Sequence, residues 1–405
     1  MTVTLASVRE ACALLQGRIV RTPCRLSRTL SAITGAQIYL KFENQQFTAA
    51  FKERGALIRL LKLDAAQRKR GVVAMSAGNH AQGVAHHATK MGIPATIVMP
   101  SNTPFNKVQQ TQLLGAKVVL HGEQLAEAEA HAHELAAREN LVFVHPYDDE
   151  DVIAGQGTIA LEMLEDHPEI ELLCVPIGGG GLLSGMAVAA RGVKADIQLL
   201  GVQVKAFPGM VNAVRGERFE FGSQTIAEGI AVRNVGKITR ELITKYVDDI
   251  VLVDEADIER AISLLISIEK TVVEGAGAAG LAAALAYPDR FRGCKAGLVL
   301  CGGNIDTRLL SIVLQRQLVR EHRLVTLRFE SADQPGTLAR IAAIIGKSSG
   351  NIIDVTHHRL FLDVPAKVAD LDFTIETRHA EHTDSLIAAL RKAGLSPRLL
   401  SASGG

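Results

Sequence analysis

One lysine has the surroundings of an amine nucleophile. Lys52 lies in the stretch KFENQQFTAAFKERGA, residues 41–56, where Phe51 precedes it directly and the small residues Ala49 and Ala50 come before that. The pattern predicts an extended segment that turns into a helix at about Phe51, with Lys52 at the helix N-terminus. The positive end of the helix dipole and an apolar enclosure both disfavour an ammonium group, so they lower the pKa of such a lysine.

The alternative is a solvated lysine in a charged surface segment, because charged side chains surround it in the sequence: Lys41, Glu43, Glu53 and Arg54. The other motifs of the chain decide between the two interpretations.

A run of glycines follows the apolar segment LLCVPI and precedes the helical pattern LLSGMAVAAR. Without side chains, backbone amides can approach an anion closely at a helix N-terminus, which favours a phosphate cradle. A flexible linker is the alternative, and the position between a strand and a helix counts against it. The cradle consists of Gly178, Gly179, Gly180, Gly181 and Leu182.

A second turn follows the short apolar strand VVAMS and leads into a helix beginning near His80. Amides at the start of a helix can bind an anion without a charged side chain. The residues of this turn are Ser76, Ala77, Gly78, Asn79 and His80.

The motif GAGAAG at residues 275–280 formally matches GxGxxG, but no acidic residue follows about 20 positions later, so a dinucleotide site is rejected. The histidine pairs at 86–87, 131 and 133, and 357–358 lack a known metal spacing and are expected on the surface. The five cysteines are widely spaced, which argues against disulfides and indicates a reducing cytoplasm. No metal site is predicted.

Apolar segments at residues 72–76, 95–100, 116–121 and 141–146 are expected to be strands, and helical patterns separate them. Strands that alternate with helices predict an α/β fold with parallel sheets covered by helices. After residue 320 the pattern changes to βαββαβ, which predicts a separate α+β domain. The chain has 44 basic and 43 acidic residues, so no charge pattern favours nucleic acid or an anionic membrane as a partner. The N-terminus resembles neither a signal peptide nor a spanning helix. A soluble protein with a small zwitterionic substrate fits this composition.

Four motifs occur in a fixed order: SAGNHAQG, GGGGL, EGAGAAG and CGGN, the last at residues 301–304. With the Lys52 motif, they resemble pyridoxal-phosphate enzymes of the tryptophan-synthase-β fold type (fold type II), and most closely the threonine dehydratase and serine racemase family. The resemblance implies two open, mainly parallel sheets in residues 1–320, with a smaller subdomain, about residues 50–150, inserted in the larger one. It also implies pyridoxal 5'-phosphate in the cleft between the subdomains.

The resemblance assigns roles to the motifs. Lys52 is the lysine that binds the cofactor aldehyde and removes the α proton, and Phe51 helps to enclose the ring. The glycine cradle binds the phosphate, Asn79 binds the phenolic oxygen, and the turn at residues 76–80 binds the substrate carboxylate. Cys301 stands where the family places a serine or cysteine against the pyridine nitrogen, and a weak neutral partner there favours elimination over transamination. Glu274 is placed near the ring.

The implied reaction converts L-threonine, and also L-serine, to 2-oxobutanoate or pyruvate and ammonia. Racemases of the family carry a serine where this chain has Ala77, and a metal-binding glutamate and aspartate where it has Gln203 and Gly209. The alternatives are a dehydratase of another β-hydroxy amino acid such as 3-hydroxyaspartate, a serine racemase, or a catalytically silent amino-acid sensor.

Residues 321–405 resemble an ACT domain, a small amino-acid-sensing module, with the turn Asp-Gln-Pro-Gly between Asp333 and Gly336. The resemblance implies allosteric regulation by an amino acid bound where two such domains meet, and therefore a homodimer or homotetramer. If the enzyme serves isoleucine biosynthesis, a branched-chain end product is the expected effector. A purely structural dimerisation tail is the alternative.

Overall fold

A computed structural model of the chain describes residues 3–332, 334–358 and 368–400. The chain divides into two compact units, Met1–Ile305 and Asp306–Gly405. The division falls before the helix Thr307–Arg320, whereas the sequence predicts the domain boundary at residue 320. Each unit has its own sheet or sheets and its own apolar core.

The first unit contains ten strands and fourteen α-helices within the described residues. The strands are β1 Cys24–Ser27, β2 Gln37–Lys41, β3 Val72–Met75, β4 Ala95–Met99, β5 Lys117–Leu120, β6 Val142–Phe143, β7 Leu172–Pro176, β8 Gln198–Val204, β9 Asp249–Val253 and β10 Lys295–Val299. The helices are α1 Leu5–Leu15, α2 Arg28–Thr34, α3 Lys52–Leu61, α4 Ala65–Arg70, α5 Asn79–Lys90, α6 Phe105–Leu113, α7 Leu125–Glu139, α8 Glu150–Asp166, α9 Gly181–Val193, α10 Gly209–Arg215, α11 Lys237–Tyr246, α12 Glu255–Leu264, α13 Gly275–Ala286 and α14 Pro288–Phe291.

The larger sheet has the order β1-β2-β10-β7-β8-β9. Only β1 pairs antiparallel, with β2, and the other neighbours are parallel. All five residues of β7 are buried, because helices cover both faces of a parallel sheet. The predicted α/β architecture is confirmed, and the antiparallel edge strand β1 is an addition to it.

The smaller sheet has the order β5-β4-β3-β6, and all its neighbours are parallel. Its strands lie between β2 and β7 in the sequence. The predicted strand segments at residues 72–76, 95–100, 116–121 and 141–146 coincide with these four strands to within a few residues. Among the described residues no helix is both long and apolar enough to cross a membrane.

The second unit consists of α15 Thr307–Arg320, β11 Leu324–Ala332, α16 Thr337–Lys347, β12 Asn351–His358, β13 Val368–Glu376, α17 Ala380–Lys392 and β14 Pro397–Leu399. Its antiparallel sheet has the order β12-β13-β11-β14, so the predicted βαββαβ pattern is confirmed. Gly336 precedes α16 with φ of 90°. Asp333, the other predicted regulatory residue, lies outside the described residues.

Helix α3 begins at Lys52, as predicted, and Phe51 precedes it. The approach to the helix is not simply extended, because a 3-10 turn spans Glu43–Gln45 and Ala49 has φ of 54°. Two backbone hydrogen bonds fix this segment. The Phe51 N–H donates to the Cys301 carbonyl at 3.0 Å, and the Gly303 N–H donates to the Ala49 carbonyl at 2.8 Å. The backbone before Lys52 is thus fixed by the segment after β10.

The charged residues around Lys52 are not a solvated face. Arg54 and Lys41 are fully buried, and Arg54 binds both oxygens of Glu43 at 2.8 Å and both oxygens of Glu162 on α8, at 2.6 and 2.8 Å. Lys41 donates to Glu162 at 2.5 Å. This buried network of two cations and two anions connects α3 to α8 and to strand β2, and it contradicts the surface interpretation of the segment.

Replacing Ala49 by glycine is expected to be neutral or to stabilise the first unit by up to about 1 kcal/mol. The left-handed conformation costs a non-glycine residue roughly 1–2 kcal/mol, and the added freedom of glycine in the unfolded chain offsets part of the gain. Ala130→Gly on the exposed face of α7 is the matched control and should cost about 1 kcal/mol. Denaturant unfolding measures both. Equal losses in the two variants would show that the backbone at Ala49 is not strained.

Candidate active site

Lys52 is partly buried, and its Nζ donates to the Pro146 carbonyl at 2.6 Å. Burial lowers the pKa of Lys52 to about 8, against the opposing influence of Cys301 and Glu274. At pH 7 about a tenth of such an amine is neutral, compared with less than about one part in a thousand for an ordinary lysine. The side chain therefore has the protonation behaviour of a nucleophile and a general base.

Cys301 directly follows the segment that leads out of β10 and is 3% exposed. Burial, together with the nearby Glu274 carboxylate, raises the pKa of its thiol well above the ordinary value. The thiol is therefore neutral, which is the state that a weak partner for a pyridine nitrogen requires.

Asn79 is the first residue of α5 and is held from two sides. Its Nδ2 donates to Glu274 Oε1 at 2.8 Å, and its Oδ1 accepts from Asn304 Nδ2 at 2.8 Å. Asn304 also donates to the Thr48 carbonyl at 2.8 Å. Since an amide nitrogen carries two hydrogens, Asn79 keeps one N–H for a ligand oxygen. Asn304, the last residue of the CGGN motif, is a positioning residue that the sequence analysis did not assign.

Glu274 immediately precedes α13 and is partly buried. Burial raises its pKa to about 7, although the hydrogen bond from Asn79 opposes the shift. A Cβ on Gly302 would lie 2.4 Å from Glu274 Oε1, so a side chain at position 302 would displace the Glu274 carboxyl group from Asn79. The carboxyl group can hold or release a proton near neutral pH beside Asn79.

The turn at residues 76–80 places its amides at the N-terminus of α5. This helix begins at Asn79, one residue before the predicted start at His80. Ser76 Oγ accepts from the Gly78 N–H at 3.1 Å, which closes the turn. His80 is 2% exposed, its Nε2 donates to the Val144 carbonyl at 2.9 Å, and burial lowers its pKa to about 3. His80 is therefore uncharged and lines the site. Ser76 and Ala77 in the same turn are partly exposed to solvent.

The glycine run lies at the N-terminus of α9, which begins at Gly181. Within the described residues, the amides of Gly178, Gly179, Gly180 and Gly181 have no hydrogen-bond acceptor, so four donors are left for an anion. The ring of Tyr147 packs against this loop. It lies so close that a Cβ on Gly179 would come within 2.3 Å of Tyr147 Cγ. The donor set fits a phosphate group.

Tyr147 is a site residue that the sequence analysis missed. It follows the short strand β6, and its hydroxyl donates to the Asn234 carbonyl at 2.7 Å. Burial raises its pKa to about 12, so the hydroxyl stays protonated. Its position just after the carboxyl end of a parallel strand is the sequence signal that could have identified it.

By the resemblance stated above, Gln203 stands where racemases carry a metal-binding glutamate. It is fully buried, and its Oε1 accepts from Met210 N–H and Val211 N–H, both at 3.0 Å. This oxygen is thereby committed to the start of α10.

Comparison with known proteins supports the cofactor assignment. Residues 15–302 match the family of pyridoxal-phosphate dependent enzymes, and residues 320–394 match the ACT domain. An L-threonine ammonia-lyase of Thermotoga maritima is 42% identical, with 98% of this chain and 100% of the relative covered.

Two solved structures are similar to this chain in fold and sequence. Maize serine racemase superposes with a TM-score of 0.73 at 35% identity, covering 80% of this chain and 100% of the racemase. A processed threonine deaminase isoform 2 from Solanum lycopersicum gives 0.72 at 32% identity, with 77% and 86% covered. The donor set around Lys52, Asn79 and the glycine run fits the cofactor of these families, and the chain belongs to the pyridoxal-phosphate dependent enzymes, with a C-terminal ACT domain.

Proposed function

We propose that this enzyme dehydrates and deaminates L-threonine to 2-oxobutanoate and ammonia, and L-serine to pyruvate in the same way. The observation that carries the proposal is the Lys52 amine, whose pKa is lowered to about 8 near the neutral thiol of Cys301. The full-length similarity to an L-threonine ammonia-lyase supports the choice of substrate.

Each residue of the site has a task in this reaction. The amides of the glycine cradle would hold the cofactor phosphate, the free N–H of Asn79 would bind its phenolic oxygen, and the Cys301 thiol would be the weak partner of its pyridine nitrogen. When bound, pyridoxal phosphate supplies the electron sink that makes the α proton of an amino acid acidic. The turn at residues 76–80 orients the substrate carboxylate through its amides. Lys52 Nζ accepts the α proton, and the β-hydroxyl takes up one proton in exchange and leaves as water. Water then hydrolyses the released enamine to the keto acid and ammonia.

The proposed substrate is tested with a panel of β-hydroxy amino acids that includes threonine, serine and 3-hydroxyaspartate. We expect keto-acid release to be fastest with L-threonine, because the similarity to a threonine ammonia-lyase spans nearly the whole chain. Elimination should also exceed formation of D-serine, since Ala77 offers no acid or base on the face opposite Lys52. Preferred turnover of 3-hydroxyaspartate, or comparable amounts of D-serine and pyruvate, would favour the corresponding alternative.

Residues 321–405 are proposed to regulate the catalytic part, residues 1–320, in a homodimer or homotetramer. Strand β12 is an edge strand, and its Ile353 and Val355 are exposed, at 56% and 36%. Pairing with a second copy would cover this edge and create a groove between two ACT domains. The effector is then an amino acid, with isoleucine or valine expected if the enzyme supplies isoleucine biosynthesis. The five free cysteines suit a cytoplasmic enzyme.

Ile353→Asp should weaken both assembly and the amino-acid response, because it places a charge at the proposed interface. Sedimentation and threonine kinetics with each proteinogenic amino acid added measure the two effects, and a coupling of about 1–3 kcal/mol is typical of such regulation. Ile33→Asp on α2, at a site 44% exposed, is the control and should change neither property. If no amino acid changes the threonine kinetics of the unaltered protein, the proposed regulation is wrong, and residues 321–405 would serve only in dimerisation.

A further inference from the structure

Three potential metal ligands, Glu53, His86 and His87, lie close together next to Lys52. The carboxylate of Glu53 and the rings of His86 and His87 each bring one ligand atom to within 4.8 Å of the others. No other group of three such residues occurs in the part of the chain that the structure describes. Glu53 and His87 are each 2% exposed, so the expectation of a surface histidine pair is wrong for His87. The cause is that α5 packs this face against α3.

The three side chains are held by contacts with one another and with Thr48 and Phe47. Glu53 Oε2 lies 3.2 Å from His87 Nε2, and the Thr48 N–H donates to the other oxygen of the carboxylate. The ring of Phe47 stacks on His86 with 4.3 Å between centroids, and the two histidine rings meet edge to face at 4.8 Å. Neighbouring histidines on a helix therefore converge on one carboxylate here.

The Glu53 carboxylate has few partners for a buried acid. It is 2% exposed, and hydrogen bonds reach it from the Thr48 N–H and from His87 Nε2. Within the described residues no lysine or arginine pairs with Glu53. A buried carboxylate is costly unless a cation or several donors compensate its charge.

We propose that Glu53, His86 and His87 bind a divalent transition-metal ion of the zinc type, with water as a fourth ligand. Two imidazoles and one carboxylate suit zinc, cobalt and nickel. Bonds of about 2.0–2.2 Å in a tetrahedral site separate the ligand atoms by about 3.3–3.5 Å. Glu53 and His87 are already at 3.2 Å. His86 is only partly buried and can move by the remaining distance.

The ion would connect the two helices that begin at the cofactor site. Glu53 follows Lys52 on α3, and the histidines lie on α5, which begins at Asn79. The helices are already close, because a Cβ on Gly83 would lie 3.3 Å from the backbone of both Lys52 and Glu53. The ion has no contact with the reacting atoms in this arrangement. Its expected effect is therefore a higher melting temperature of the first unit, since a ligand that binds only the folded state stabilises it.

The test uses untagged, cofactor-loaded protein that has been treated with a chelator and then titrated with Zn²⁺ or Co²⁺. We expect one ion per chain, visible ligand-field bands with Co²⁺, and a higher melting temperature. His86→Phe keeps a ring to stack on Phe47, and His87→Gln keeps a donor for Glu53, but each removes one ligand. Each should weaken zinc binding by more than about 100-fold, beyond the usual effect of changes outside the ligand shell.

His131→Gln is the matched control, because His131 stacks on His121 in a second pair of neighbouring histidine rings in the same unit, with 3.9 Å between centroids. Its zinc affinity should equal that of the unaltered protein. Circular dichroism checks that each variant folds, and if His87→Gln does not, the partly exposed His86→Phe decides. Equal zinc affinity in His86→Phe and the unaltered protein, or loss of binding in His131→Gln, would overturn the proposal. The metal and its optical bands are measured without turnover, so failure of the proposed reaction leaves this test intact.

Discussion

Lys52→Ala is expected to abolish the visible absorption band of the protein and to lower threonine deamination by at least about 10²- to 10⁴-fold. The band requires a covalent bond between the cofactor aldehyde and an amine, and the pKa of Lys52, about 8, makes this amine reactive near neutral pH. Alanine removes both the amine that binds the aldehyde and the base that accepts the α proton. The absorption spectrum and keto-acid release measure the two losses separately.

Lys62→Ala is the control, because Lys62 ends the same helix and pairs with Asp151 at 3.0 Å. Its spectrum and turnover should match those of the unaltered protein. Borohydride reduction followed by peptide mass analysis identifies the modified lysine directly. Cofactor mass on a peptide that lacks residue 52 would refute the assignment.

Arg54→Met should destabilise the first unit by about 3–5 kcal/mol, the usual cost of breaking a buried ion pair from one side. Methionine replaces much of the apolar stem. Among the described residues, it leaves Glu43 without an ion pair and leaves Glu162 paired only with Lys41. Unfolding is followed by the loss of the cofactor band, which reports on the first unit separately from the second. A probe of the first unit alone is needed because a chain with two compact units does not unfold in one step.

Arg21→Met tests the same substitution at the surface. Arg21 is 51% exposed and pairs with Glu165 and Asp166 at 2.9 and 2.5 Å. Exposed pairs contribute about 0–1 kcal/mol, so the loss should be small. Equal losses in the two variants would mean that the buried network is not a major source of stability.

The network also gives the stability of the first unit a defined dependence on pH. Burial raises the pKa of Glu43, but the charge and hydrogen bonds of Arg54 outweigh it, and the pKa ends below the ordinary value of 4.5. A group whose pKa is lowered on folding stabilises the fold above its ordinary pKa, and the contribution is lost as the pH falls through the lowered value. Arg54→Met should therefore lose less stability on acidification than the unaltered protein.

The features predicted from the sequence are those with a local signal. The start of α3 at Lys52 and strands β3 to β5 follow from apolar runs and the turn residues that bound them. The two sheets and the ACT topology follow from the order of such segments and from motif resemblance. The glycine run was placed correctly at the start of α9 because a strand precedes it and an apolar helical pattern follows.

Long-range contacts were not predictable in this way. Asn79 and Glu274 bind each other although 195 positions separate them in the chain. No residue next to either of them in the sequence indicates that the two side chains form a hydrogen bond. Tyr147 lies against Gly179 for a similar reason, since the ends of two strands in different sheets bring them together. His87 was expected at the surface, because helical periodicity alone does not show that α3 covers that face of α5.

The position of β10 in the larger sheet has a consequence for synthesis of the chain. This strand, Lys295–Val299, inserts between β2 and β7, so the sheet stays split until the last part of the first unit leaves the ribosome. At about 5–20 residues per second, the roughly 250 residues between β2 and β10 take about 10–50 s to synthesise. The smaller sheet, complete by Phe143, can fold during that delay. The exposed edges of β2 and β7 meanwhile remain open to misassociation, and chaperone demand should be greatest in this interval.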